Sequence, residues 1–317
     1  WAKEDPIDPQ NAVRRAWKRR VVHTPGVVST ADVSAGMSLV LRPWRPDTPR
    51  EVSEALSTLN AKWELPDGEP LSDAVHKSRH GVTLSLGFWN KVRFSTPDGR
   101  PADTDDVLRW QDARREWVRA VNRQVRYLKW PGQDSPALVE EACARGESHR
   151  DTLRAYAAWC DVRDTVVQGS EAVWLSKDVV DAAVGALLSK PSGLLWYSSV
   201  ALEDALRDRG VEVRGAGSEP PYGHRHAALS THAHGTGKDL QAWADQIVLE
   251  PSSNARVWDQ LLARTHRPGQ AADEVRCDIA MHTPALRARV YAAKAHARYI
   301  EEMTVQRQRL TFSTWVP

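Results

Sequence analysis

The sequence predicts an α/β protein: a parallel sheet covered by helices, preceded by a mainly helical α+β region. Three observations carry that expectation. After Pro191, short apolar runs alternate with helical stretches, as in sheets whose strands are joined by covering helices. Between 104 and 190 the apolar positions recur at helical spacing. The first 103 residues mix strand, helix and turn signals and do not resemble a domain alone. The chain therefore divides into 1–103, an α+β remainder or insertion; 104–190, a helical connector; 191–282, an α/β lobe; and 283–317, a C-terminal helix.

Taken in order, 1–20 carries Arg and Lys at helical spacing around Val13 and Trp17, and His23-Thr-Pro-Gly26 breaks that pattern. Val27-Val28 and 38–42 read as strands, and 49–59 as an amphipathic helix. Pro66-Asp-Gly68 and Pro97-Asp-Gly99 mark turns. From 104 to 130, Leu108, Ala113, Trp117, Val121, Val125 and Leu128 define a long helix that Pro131-Gly132 stops. Ser135-Pro136, closed near Gly146, gives an N-cap, a proline at the first helical position and a glycine terminator. Helices follow at about 149–167 and 177–190. Strands are then expected at 193–197, 211–213, 227–230, 246–250 and 275–279. Helices are expected at 200–209, 239–243, 254–266 and from 283 to about 308.

At 317 residues the chain is long enough for two or three packed units, and 41% hydrophobic with 26% charged residues is a globular composition. No apolar run approaches the roughly 20 residues of a membrane span, so no membrane partner is expected. The net charge of +2 conceals two basic clusters, Arg14, Arg15, Lys18, Arg19 and Arg20 near one end and Arg287, Arg289, Lys294, Arg298, Arg307 and Arg309 near the other. Three dispersed cysteines indicate neither a disulfide framework nor a metal site, and fit a reducing cytoplasm. The opening at Trp1, without a methionine or a signal peptide, is expected of a fragment or a processed product. Most of the 14 tryptophans, Trp110, Trp117 and Trp196 among them, are expected in the core and not as base-stacking platforms.

Chemistry concentrates in two segments. Gln260-Leu-Leu-Ala-Arg264-Thr-His-Arg267-Pro-Gly-Gln270 spaces an amide and two guanidinium groups four and three apart, on one face of a helix, where they can converge on a phosphate. Upstream, Ser230-Thr-His-Ala-His-Gly235-Thr-Gly237-Lys-Asp239 places a glycine-bearing loop after an apolar strand. It is not a Walker A loop, because His232 stands where the first glycine belongs and Asp239 where Ser or Thr should follow the lysine. The complete motif is absent from the sequence, and this chain alone is not expected to hydrolyse a nucleotide efficiently. His224, His226, His232 and His234 lack the cysteines and tetrahedral spacing of a zinc site and are expected to be packed or loop histidines, with no metal site. Asp105, Asp106, Glu140 and Glu141 read as helix-start charges, not as catalytic carboxylates.

Residues 229–243 resemble motif V of Swi/Snf-type superfamily-two helicases, 258–270 resemble their motif VI, and 193–199 lie where motif IV would begin. The resemblance covers about 190–280 and implies a second RecA-like lobe; the style of the earlier region is that of bacterial and phage-encoded relatives, acting in a cytoplasm. By this resemblance, Arg264 and Arg267 would be arginine fingers on ATP, and Gln260 would help to order them. Gly235 and Gly237 would let the loop approach the interlobe cleft, Asp239 would stand at the nucleotide sugar, and Ser230 and Thr231 would meet DNA phosphates. ATP and Mg²⁺ would be held mainly by a first lobe, upstream or on a separate chain, and DNA would be the other partner. His234 and Asp239 depart from the glycine and asparagine common in the family, and no proline follows Asn254. The alternative is a non-enzymatic DNA- or protein-binding module derived from such a lobe.

Overall fold

The computed structural model describes residues 36–317 apart from 224 and 305, together with Ala16 and Arg20. The helix expected at 1–20, apart from those two residues, and the strand expected at 27–28 lie outside the described residues, as does His224.

Strands β1 (Ser38–Trp44), β2 (Phe88–Ser95), β3 (Val167–Trp174), β4 (Gly193–Tyr197), β5 (Glu212–Arg214), β6 (His226–Ser230), β7 (Asp245–Val248), β8 (Glu274–Ala280) and β9 (Thr314–Trp315) alternate with helices. Seven of them form one sheet in the order β5-β6-β4-β7-β8-β1-β9, with every neighbouring pair parallel. The expected α/β fold is therefore present: a parallel sheet flanked by helices. All five residues of β4 and all four of β7 are buried, because helices cover both faces and an inner parallel strand has no solvent side.

The described residues form two compact units, 36–89 with 174–317, and 90–173. This division differs from the boundaries expected at 103 and 190. Seven consecutive residues of β1 pair with β8, Ser38 opposite Glu274 through Trp44 opposite Ala280, so the early segment completes the late sheet. Local periodicity carries no information about a partner 236 positions away, the separation of the Arg42–Asp278 ion pair (2.8 Å) in that ladder. Three strands, β2, β3 and β9, have no counterpart in the sequence expectations. β3 lies where a connector of helices is expected, and the helix there, Arg150–Val162, stops five residues short of 167. Five of the eight β3 residues are exposed, so no apolar alternation marks the strand.

In the sheet-bearing unit, the helices Arg50–Lys62, Ala74–Ser85, Asp178–Leu188, Val200–Arg207, Ala255–Leu262 and Pro284–Thr304 match expected positions where the sequence assigns a helix; that at 74–85 was not assigned. The stretch expected as a helix at 239–243 is instead extended and turned, because the Leu240 N–H is bonded to the Arg264 carbonyl oxygen (3.1 Å) and not to a carbonyl one turn earlier. Trp196, Trp243 and Trp258 are fully buried in this core. Polar atoms are satisfied there in a chain: the Trp196 indole donates to Gln246 Oε1 (2.8 Å), and Gln246 Nε2 donates to Thr265 Oγ1 (2.6 Å). Among the described residues no helix is long and apolar enough to cross a membrane.

In the 90–173 unit, Trp117, Val121, Val139, Cys143 and Ala155 form the core, with Trp110 and Trp159 in edge contact (centroids 5.4 Å). The long helix Thr104–Arg123 begins at Asp103, which accepts from the Asp105 N–H (2.9 Å), and the helix Pro136–Ala144 begins at Ser135, as its sequence signals require. Past Arg123 the helix widens by a residue per turn over Gln124–Leu128. Buried Gln124 fixes this irregular turn, donating to Gln133 Oε1 (2.8 Å) and accepting from Thr152 Oγ1 (3.0 Å), while Ser148 Oγ also donates to Gln133 (3.0 Å). Gln124→Leu is expected to destabilise the protein by about 2 kcal/mol in chemical denaturation, because it leaves the buried Thr152 hydroxyl without its acceptor and removes one of the two donors to Gln133 Oε1. A change below about 0.5 kcal/mol would show that the network is dispensable.

Candidate functional site

The expected helix at 254–266 begins where Asn254 Oδ1 accepts from the Arg256 N–H (3.0 Å), and it ends at Leu262. Gln260, Arg264 and Arg267 therefore do not share a helix face. Arg264 lies on the following turn and Arg267 beyond it, where Pro268 opposes helical geometry in the preceding residue. The exposed Gln260 contributes its backbone: its carbonyl oxygen accepts from Arg264 Nε (3.1 Å).

The turn is joined to the glycine-bearing loop through Arg264. Its Nη1 donates to the Lys238 carbonyl oxygen (3.1 Å), and its own carbonyl oxygen accepts from the Leu240 N–H (3.1 Å). Gln241 Nε2 donates to the Pro268 carbonyl oxygen. Gln270 Nε2 donates to the carbonyl oxygens of Trp243 (3.1 Å) and Thr265 (3.2 Å), beside the starts of β7 and β8. Two segments separated by about 25 positions thus form one surface, on which Asp239 favours the charged form of Arg264 from a distance, without an ion pair.

Charge on that surface is not neutralised. Among the described residues neither Arg264 nor Arg267 forms an ion pair, and the Arg264 guanidinium is bonded to neutral carbonyls. Burial, reinforced by the positive charges of Arg267 and Arg309, pulls the Arg264 pKa below its ordinary value. Arg309 is held by Asp259 (Nη1 to Oδ1, 3.1 Å). In the sequence Arg309 belongs only to a diffuse basic cluster, because nothing local indicates that the 309–312 helix returns to Asp259.

Ser230 and Thr231 occupy a different place. Ser230 is the buried last residue of β6, opposite Tyr197 of β4, and half-buried Thr231 opens a four-residue helix. Trp243 Nε1 donates to the carbonyl oxygen of Arg225, just before β6 (3.2 Å), so 231–243 runs back from the C-terminal to the N-terminal end of that strand. The structure thus brings Lys238–Gln241 to the arginines and leaves Ser230 and Thr231 at the opposite strand end. Gly235 closes the short helix, where a Cβ would overlap the Thr231 carbonyl oxygen, and Gly237 has φ +74°, a conformation that favours glycine.

His234 is packed inside: Nε2 donates to the Gly215 carbonyl oxygen (3.1 Å), and among the described residues the buried Nδ1 has no partner. His226 Nε2 donates to the Lys190 carbonyl oxygen (2.8 Å), and His232 is exposed. Burial lowers the pKa of His234 and likewise that of His282, whose Nε2 donates to the Ser85 carbonyl oxygen (2.8 Å). A histidine whose folded pKa lies below its unfolded value near 6.5 binds fewer protons when folded, so stability is full above that pH and declines as pH falls below it. The melting temperature is expected to fall between pH 7 and pH 5, and His282→Gln should flatten that dependence. An unchanged slope in the variant would remove His282 from the explanation.

No protein-family model matches the chain, and no curated protein matches it. Among solved structures it is similar to the C-terminal part of the Fun30 ATPase domain, at 14% identity over 81% of this chain and 90% of that one, with a TM-score of 0.40. At that level the likeness assigns no residue and no activity.

Proposed function

We propose that the sheet-bearing unit is the second lobe of an ATP-dependent DNA helicase or translocase. Arg264 and Arg267 would supply positive charge to an ATP site whose Mg²⁺ and phosphates are held mainly by a first lobe, encoded upstream or on a separate chain. The observation that carries this reading is the pair of unneutralised guanidinium groups on a turn bonded to the 238–241 loop. A transferring phosphoryl group spreads negative charge over its oxygens, and preorganised guanidinium donors stabilise that charge without reorganising. The motif V- and VI-like sequences supply the support for ATP as the anion and for DNA as the track. In this reading Asp239 stands beside the nucleotide, Gly235 and Gly237 shape the loop, and Gln260 orders Arg264 through its backbone. Ser230 and Thr231, at the other strand end, contact the DNA backbone.

DNA-stimulated ATP hydrolysis, measured for this chain alone and joined to a first lobe, tests the proposal. Activity confined to the joined protein is expected. An inactive joined protein that still binds DNA would overturn it in favour of a non-enzymatic binding module.

A further inference from the structure

A cavity of about 520 Å³ opens in the sheet-bearing unit between the helices Arg50–Lys62, Ala74–Ser85 and Pro284–Thr304, with no residue of the arginine turn in its lining. That volume lies within the range typical of small-molecule sites. Small apolar side chains, Ala285 and Ala288 among them, form part of its wall, and Asn60, Ser78, Ser253 and Arg289 place polar groups at its lining.

Arg289 makes the cavity chemically specific. Its guanidinium is half-buried, yet among the described residues it has neither an ion pair nor a hydrogen bond. Burial depresses its pKa; Glu250 acts favourably on it at longer range, and Arg79 acts against it. Glu250 is committed elsewhere, accepting from the N–H groups of Ser198 and Ser199 (2.6 Å each) and from Ser199 Oγ (2.6 Å). Lys77 adds a second cation to the lining, with its Nζ bonded to the Asn60 carbonyl oxygen (3.1 Å) and standing over the Trp63 ring. A half-buried guanidinium without an acceptor keeps its donors free, and an oxyanion seated in the cavity would meet them with charge-assisted bonds.

We propose that this cavity binds a small organic anion, a phosphate or carboxylate head on a compact apolar body, with Arg289 as the principal head-group ligand. Lys77 supports the charge, Ser78 and Ser253 offer hydroxyls, and the alanines accept the apolar part. The site is independent of the proposed ATP site, and nothing in its lining belongs to the 230–270 segment except Ser253.

Isothermal titration of the full chain with phenyl phosphate and with benzoate distinguishes the two head groups, and benzyl alcohol serves as the uncharged comparison. Saturable binding of at least one anion is expected, at least tenfold weaker for benzyl alcohol and at least tenfold weaker in Arg289→Gln, with an unchanged melting curve. Ala288→Phe, which fills the cavity and keeps the guanidinium, should also abolish binding. Equal affinity in either variant, equal affinity for the alcohol, or no saturable binding of either anion would overturn the proposal. DNA-stimulated ATP hydrolysis of the joined protein should be unchanged in Arg289→Gln, which separates failure of this site from failure of the motor reading.

Discussion

Arg267→Ala is expected to lower DNA-stimulated ATP hydrolysis by about 10³-fold or more in the joined two-lobe protein, the usual range for an arginine finger. Thermal stability should be unchanged, because among the described residues its guanidinium holds no hydrogen bond or ion pair that folding would lose. Arg264→Ala should behave differently. It removes the same class of charge but also the donors to Gln260 and Lys238, so a loss of activity should be accompanied by about 1–2 kcal/mol of destabilisation. Measuring hydrolysis and melting on both variants separates a residue that only meets the phosphoryl group from one that also binds the two segments together. Full activity in Arg267→Ala would exclude the finger role.

Gln246→Leu is expected to cost about 3 kcal/mol, roughly 10 °C in melting temperature for a unit of this size. Trp196, Gln246 and Thr265 are all fully buried, and removing the middle amide leaves an indole N–H without its acceptor and a hydroxyl without its donor. Thr265 lies between Arg264 and His266, so the same variant should loosen the arginine turn and weaken hydrolysis as well as stability. Adding Trp196→Phe should recover part of the loss, because removing both partners of a buried bond costs less than removing one. A double variant no more stable than the single would disprove the relay as the cause.

The late sheet was legible because its strands are short apolar runs bounded by turn residues and separated by helices. Gly193-Leu-Leu-Trp-Tyr197 and Ala227-Ala-Leu-Ser230 are buried strands as read. Ser135 and Pro136 marked a helix start because capping is local. Pairing and long-range return were not legible. β1 reads as a strand, but nothing in Ser38-Leu-Val-Leu identifies β8 as its neighbour. At the candidate site the residue types were readable and their joining was not. Spacing of four and three suggested a continuous helix through Arg267, whereas the turn after Leu262 and the bond from Leu240 to the Arg264 carbonyl oxygen determine the actual surface. Likewise Ser230 and Asp239 are near in sequence, yet the chain between them crosses from one strand end toward the other.

The insertion of β1 between β8 and β9 dictates an order of events during biosynthesis. A strand made early must wait for more than two hundred further residues before either of its edges has a neighbour, while the 90–173 unit has all its contacts available as soon as it emerges. Such a high contact order slows closure of the sheet and leaves Leu39 and Leu41 exposed on the nascent chain in the interval. The ribosome-bound intermediate should therefore consist of a folded insertion flanked by an incomplete sheet, and that sheet is the part of the molecule in greatest need of chaperone protection.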